Sequence, residues 1–192
     1  MTNDRTDILT ALRAYETPYE DERADVRDTI AFITAHEDAF ARSCVPGHVT
    51  GSAVLISRDG TKILLNRHKK LGRWMHFGGH ADGSADILDV ARRELAEESG
   101  IETAEPVSRA VFDVDVHTIP ANATKGEPEH KHYDIRYLFR CSDNDSFVCS
   151  DESTELRWCT AKEALTLVDS KDLRRMIGKW KEIFLTTKAT KS

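Results

Sequence analysis

The chain reads as an α+β fold, a mixed sheet with helices packed on it, and three observations predict this. Apolar residues recur at helical spacing near both ends, strand-like runs and alternations fill the middle, and one helical segment there follows a glycine-bearing loop. Asp7 to Tyr15 reads as a helix stopped near Thr17-Pro18, and a second begins around Glu20 with Val26, Ile30 and Ile33 on one face. Pro46-Gly47 breaks the pattern. Val49 to Ser57, the turn Arg58-Asp59-Gly60 and Ile63-Leu64-Leu65 together give a hairpin signature. A loop from Lys69 to Asp86 leads into the mid-chain helix, which Ser99-Gly100 ends. Ala110 to His117 and Tyr133 to Arg140 alternate as strands around a loop from Ile119 to Glu129, and Glu155 to Trp158 is a short strand. Helices over Ala161 to Val168 and Asp172 to Leu185 close the chain. The order fits an α+β or an α/β/α arrangement, with residues 1–46 as an N-terminal helical extension docked on a main domain of residues 47–192.

Charge and composition narrow the function classes. A net charge of −6 speaks against a nucleic-acid polymer as partner, because such binding relies on Lys and Arg neutralising phosphates. It leaves phosphorylated small molecules open, since a divalent metal supplies positive charge locally. There is no apolar run of membrane-spanning length, and the N-terminus lacks the basic-then-apolar pattern of a signal peptide. Cys44, Cys141, Cys149 and Cys159 show neither CxxC pairing nor zinc-ligand spacing, so reduced core cysteines and a cytoplasmic location are expected; a Cys141–Cys149 pair across a hairpin is the alternative.

The stretch GGHADGSADILDVARRELAEESGI, Gly78 to Ile101, carries the chemistry. On a helix, Glu94 and Glu98 are i, i+4 neighbours and Glu94 and Glu97 are i, i+3 neighbours, so three carboxylates share adjoining parts of one face. Ile87 or Leu88, with Ala91 and Leu95, forms an apolar stripe, and Arg93 is placed to orient Glu97. Carboxylates held together repel unless a cation joins them, and a hard divalent ion such as Mg²⁺ prefers such oxygen ligands together with substrate phosphates. The competing reading is a solvated acidic face with Arg92 and Arg93 as counterions.

Spacing favours the first reading. Gly79, Ala85 and Arg93-Glu94-Leu95-Ala96-Glu97-Glu98-Ser99-Gly100-Ile101 resemble the Nudix box, G-x5-E-x7-R-E-U-x-E-E-x-G-U with U aliphatic. The departure is Ala85, where the box has its first Glu; Phe77 stands where the family often has Pro. The resemblance covers about residues 48–185 and implies a Nudix-type α/β/α sandwich. It implies a Mg²⁺- or Mn²⁺-dependent hydrolase cleaving the pyrophosphate linkage of a nucleoside diphosphate derivative or related organic diphosphate. Glu94, Glu97 and Glu98 would be the metal-binding carboxylates, the carbonyl of Gly78 or Gly79 an extra ligand, and Arg93 a positioning residue. In the family the first Glu mostly supports the loop, so Ala85 leaves the implied metal set intact. An acid outside the box often completes such a site; Glu152 is the choice here and Glu155 the reserve.

A second stretch, HTIPANATKGEPEHKHYDIRYLF, is rich in histidine. If its later strand extends back to His130, then His130, His132 and Asp134 alternate onto one sheet face. Two His and an Asp suit a transition metal, and imidazoles beside a phosphate pocket also donate hydrogen bonds to substrate. His130, His132 and His80 are therefore candidate substrate-binding residues. Trp74 either packs the loop or stacks on a base. Ala85 and the N-terminal extension also motivate a different class, a catalytically weak Nudix-fold module that binds a nucleotide or a partner. An isoprenoid diphosphate isomerase is disfavoured, because no cysteine stands where its acid–base pair is expected. The N-terminal helices offer a surface for a homodimer.

Overall fold

The computed structural model describes residues 5–124, 126–143 and 145–186. Contacts between Cα atoms group these into two compact units. The first holds the N-terminal segment through Ser52, Gly78–Ala91 and Arg109–Tyr137; the second holds Ala53–Phe77, Arg92–Ser108 and the chain from Leu138 onward. Three strands and one helix have residues in both.

In the first unit, α1 (Arg5–Ala14) buries Ile8 and Leu12, four residues apart, and α2 (Glu20–Ala35) buries Val26, Thr29, Phe32 and Ile33. Glu22 of α2 is fully buried, so its charge needs partners. The Tyr15 hydroxyl lies 2.7 Å from Glu22 Oε1 and 2.8 Å from the Phe112 carbonyl, Thr17 bonds the other oxygen, and the backbone N–H of Val114 donates to Oε1 at 3.0 Å. That last bond ties α2 to strand β6 (Asp113–Ile119), which pairs antiparallel with β7 (His130–Arg140) from Asp113↔Arg136 to Ile119↔His130. The unit also contains the first half of β1 (Gly47–Ile56) and most of β4 (Phe77–His80), which pairs with β1. The first turns of α3 (Ile87–Ser99) lie on β1 at Gly51, where a Cβ would meet Val90 at 2.8 Å and Ile87 at 3.0 Å.

In the second unit, β2 (Ile63–His68) lies between three partners in the sheet. It forms the expected hairpin with β1 through Leu55↔Leu64 and Ile56↔Ile63, and pairs with β3 (Trp74–Met75) and β8 (Ser153–Cys159). A short β5 (Glu105–Pro106) pairs with the end of β7. Helix α4 (Ala161–Leu167) starts at a capping box in which Thr160 and Glu163 satisfy each other's backbone N–H groups. Helix α5 (Lys171–Lys181) buries Leu173, Met176, Ile177 and Trp180, and Trp180 Nε1 donates to the Gly60 carbonyl at 3.2 Å.

The sequence reading needs three adjustments. The loop before α3 contains β3 and β4, two and four residues long, too short for any apolar period to register. Strand β5 escapes for the same reason. The last helix does not continue to Leu185 as an α-helix; residues Glu182–Thr186 widen into a π turn. No helix among the described residues is long and apolar enough to cross a membrane.

All four cysteines are free, and Cys149 is exposed rather than part of the core. Burial pushes the thiols of Cys44 and Cys159 up to about 11 and that of Cys141 up to about 12. Since the thiolate is the nucleophile, these three stay protonated and slow at pH 8. Iodoacetamide at pH 8 is therefore expected to label Cys149 first, at least ~10-fold faster than the others. Peptide mapping that finds any buried cysteine labelled ahead of Cys149 would contradict this burial pattern.

Candidate active site

The carboxylate-bearing half of α3 lies in the second unit. Glu97 is exposed, Glu94 is half-buried and Glu98 retains only 7% exposure. The guanidinium of Arg93 reaches Glu94 at 3.0 Å and Glu97 at 3.8 Å, the orienting contact expected from i, i+4 spacing. Glu98 Oε2 accepts a hydrogen bond from Asn66 Nδ2 at 3.0 Å, and the same nitrogen donates to the His76 carbonyl at 3.1 Å. Asn66 stands in β2 with 1% exposure, and its Oδ1 is buried without a hydrogen-bond partner among the described residues.

Burial penalises a carboxylate, and the last turn of a helix carries the negative end of the macrodipole. That turn of α3 contains no basic residue. The helix stops where expected, at Ser99, with Gly100 at φ +68° and its N–H donating to the Ala96 carbonyl. The donor set is oxygen-only: three carboxylates on one helix, one of them buried, and a buried amide oxygen left over beside them. Oxygen donors of these types are the ones a hard divalent cation prefers.

In the first unit, the loop ahead of α3 is braced without the glutamate that Ala85 replaces. Asp86 caps the helix by accepting from the Asp89 N–H at 3.1 Å, Ser84 Oγ accepts from the Asp86 N–H at 3.2 Å, and the Gly83 N–H donates to the Phe40 carbonyl at 2.8 Å. Asp82 takes a left-handed φ of +49° and accepts from Arg42 Nε at 2.8 Å. Gly78 permits a close approach of strands: a Cβ there would fall 2.1 Å from Ser52 Oγ, a hydroxyl held by its 2.6 Å bond to Asp134. Gly78→Ala is therefore expected to destabilise the fold by about 1–3 kcal/mol, read from urea denaturation. An unchanged midpoint would mean that the Ser52 bond yields without cost.

Glu152 is exposed at the turn before β8, where its carbonyl accepts from the Lys69 N–H at 2.8 Å. Glu155 bonds Arg157, and the Arg157 guanidinium lies 5.1 Å from the ring centroid of half-buried Trp74, covering one face of the indole. Strand β7 does begin at His130, so His130, His132 and Asp134 share a face as anticipated. Asp134, however, is not available to a metal. One of its oxygens accepts from Thr50 and Ser52 at 2.9 and 2.6 Å, and the other accepts from Arg136 Nε at 2.7 Å. Arg136, at 1% exposure, also reaches Asp113 at 3.1 Å and Asp115 at 3.4 Å.

What joins His130 and His132 instead is His48 of β1, which the sequence reading passed over. The His48 ring centroid lies 5.0 Å from that of His130, 4.7 Å from that of His132 and 4.9 Å from that of His80. Burial is the main cause that lowers His132 to about 3 and His80 to about 4, with neighbouring positive charge adding to it; His48 is lowered for the same reasons. Asn66 gave a faint signal, a polar side chain directly after the apolar run Ile63-Leu64-Leu65, while His48 gave none, standing at the start of a strand that also holds Thr50 and Ser52.

A carboxylate-bearing helix behind a glycine-bearing loop, set among these strands, defines a Nudix-type fold. The NUDIX domain family model matches residues 47–179, well over half of the 192-residue chain, and the chain belongs to that family. It is 32% identical over 98 residues to the Probable DHNTP pyrophosphohydrolase of Lactococcus lactis subsp. cremoris (strain MG1363), covering 51% of this chain and 57% of that protein. It is 34% identical over 87 residues to the Oxidized purine nucleoside triphosphate hydrolase of Danio rerio, covering 39% of this chain and 55% of that protein. The chain thus spans a little over half the length of these curated relatives. The solved binary complex of a C. elegans Ap4A hydrolase shares the fold with a TM-score of 0.59 at 18% identity, covering 72% of this chain and 98% of that one.

Proposed function

We propose that the chain hydrolyses a pyrophosphate linkage in a nucleoside diphosphate derivative or a related organic diphosphate, with Mg²⁺ or Mn²⁺ held by Glu94, Glu97 and Glu98. The observation that carries this reading is Glu98, a buried acid in the last turn of α3 whose carboxylate is fixed by buried Asn66. The bound ion would polarise phosphoryl oxygens and lower the barrier to attack by water. Asn66 fixes the Glu98 carboxylate, and Arg93 holds Glu94 and Glu97 on a common side. Glu152 is the assigned acid outside the box, because it stands exposed while Glu155 is engaged by Arg157. The family membership and the named activities of the relatives support hydrolysis as the reaction class. Residues 1–46 are assigned as a helical extension to the family domain, on the strength of where the family match begins.

The test is a hydrolysis screen with Mg²⁺ and with Mn²⁺. It includes dihydroneopterin triphosphate, oxidised purine nucleoside triphosphates and Ap4A, the compounds suggested by the relatives' names, together with nucleoside diphosphate sugars. Turnover of at least one, with product masses showing cleavage between phosphorus atoms, is expected. Calorimetric binding of a nucleotide without turnover of any would favour the weak-module reading instead.

A further inference from the structure

We infer that His48, His130 and His132 form a second metal site, a tris-imidazole set that takes a borderline divalent transition ion such as Zn²⁺. One ligand atom from each of the three lies within 4.8 Å of the others. Around a tetrahedral ion with bonds of about 2.05 Å, neighbouring nitrogens stand about 3.3 Å apart, so modest side-chain rotations close the set.

The hydrogen bonding of the rings fits such a ligand set. His130 Nδ1 lies 2.9 Å from the Pro128 carbonyl, which can only accept, so Nδ1 carries the proton and Nε2 presents its lone pair. A histidine ligand characteristically donates its other ring N–H to a carbonyl or carboxylate in this way. His132 Nε2 and both ring nitrogens of His48 are buried and make no hydrogen bond of ordinary geometry among the described residues, although the Cys44 carbonyl lies near the His48 ring. Buried polar atoms without partners are rare in native proteins, and an unplaced ion is one of the few physical reasons for them.

Neighbouring side chains limit the ligand set. Asp134 is taken by Arg136, Thr50 and Ser52. His117 borders His132 at 5.5 Å between centroids but directs Nδ1 to Asp115 at 2.8 Å. His80 lies 5.1 Å from His132 between ring centroids. Three imidazoles suit Zn²⁺ and its neighbours rather than Mg²⁺, which prefers carboxylate and water. The site shares no residue with the carboxylates of α3, so it stands or fails independently of the proposed hydrolysis.

The experiment uses full-length, tag-free protein freed of metal by a chelator, then titrated with Zn²⁺ by calorimetry and with Co²⁺ by visible absorption. One Zn²⁺ per chain and the intense visible bands of tetrahedral Co²⁺ are expected. In His48→Gln and in His132→Gln the affinity should fall at least ~100-fold, since even residues that only support a ligand are worth 10–100-fold. His117→Gln and Glu98→Gln should both retain the spectrum. Weak octahedral bands from the wild type, or loss of binding in Glu98→Gln with retention in the histidine variants, would overturn the site. So would stabilisation of the wild type by inorganic pyrophosphate but not by Zn²⁺, an effect lost in the histidine variants, because the cluster would then be an anion pocket. The wild-type Co²⁺ spectrum decides the matter even if a variant fails to fold.

Discussion

Glu98→Gln is expected to lower kcat by about 10³-fold or more while leaving the protein folded and no less stable. The substitution keeps shape and volume, and the amide oxygen of Gln can still accept from Asn66 Nδ2, now 3.0 Å from Glu98 Oε2. What it removes is charge at the position where a divalent ion would be gripped, and a metal's contribution to phosphoryl chemistry is electrostatic. The stability readout moves the other way. Without metal, a neutral side chain in the buried last turn of α3 relieves both the desolvation penalty and the dipole repulsion. Metal-free thermal unfolding should therefore give a Tm equal to or above that of the wild type. A variant that loses activity and also Tm has merely lost structure; one that keeps near-wild-type turnover removes Glu98 from the catalytic set.

The largest stability effect is expected for Arg136→Met. Arg136 is 1% exposed and its guanidinium spans three carboxylates, of which Asp113 and Asp134 are almost completely buried. Replacing a whole buried ion network with apolar residues is often neutral, but deleting one sign leaves the other uncompensated, at about 3–5 kcal/mol. With more than one acid stranded, the loss should reach at least that range, a large share of the roughly 5–15 kcal/mol that holds a typical domain together. Arg136→Lys retains charge but lacks the planar fork that addresses several acids at once, and should fall between the two. Adding Asp113→Asn to Arg136→Met should recover part of the loss. Urea denaturation followed by circular dichroism measures all three, and a change below about 1 kcal/mol for Arg136→Met would show that the network relaxes into water.

The parts of this molecule legible in the sequence are those set by local periodicity. The hairpin around Arg58-Asp59-Gly60 and the stop of α3 at Ser99 need only neighbouring residues to specify them. The contact of Arg93 with Glu94 and Glu97 is equally local. What escaped depends on register between distant strands. Asn66 and Glu98 are 32 positions apart, and nothing in either segment says that they meet. His48 joins His130 and His132 only because β1 and β7 are neighbours in the sheet. Asp134 was misjudged for a related reason: its face was right, but Arg136 two residues on and the hydroxyls of β1 claim both of its oxygens.

The bond between Glu22 and the Val114 N–H has a bearing on how the protein may be cut. That N–H points away from β7, along the outer margin of β6, and α2 caps it as a neighbouring strand otherwise would. A fragment trimmed to the family match, residues 47–179, loses this cover and presents an open β ladder to other molecules. Such a fragment is therefore expected to self-associate more than the full chain, which light scattering of the two side by side measures.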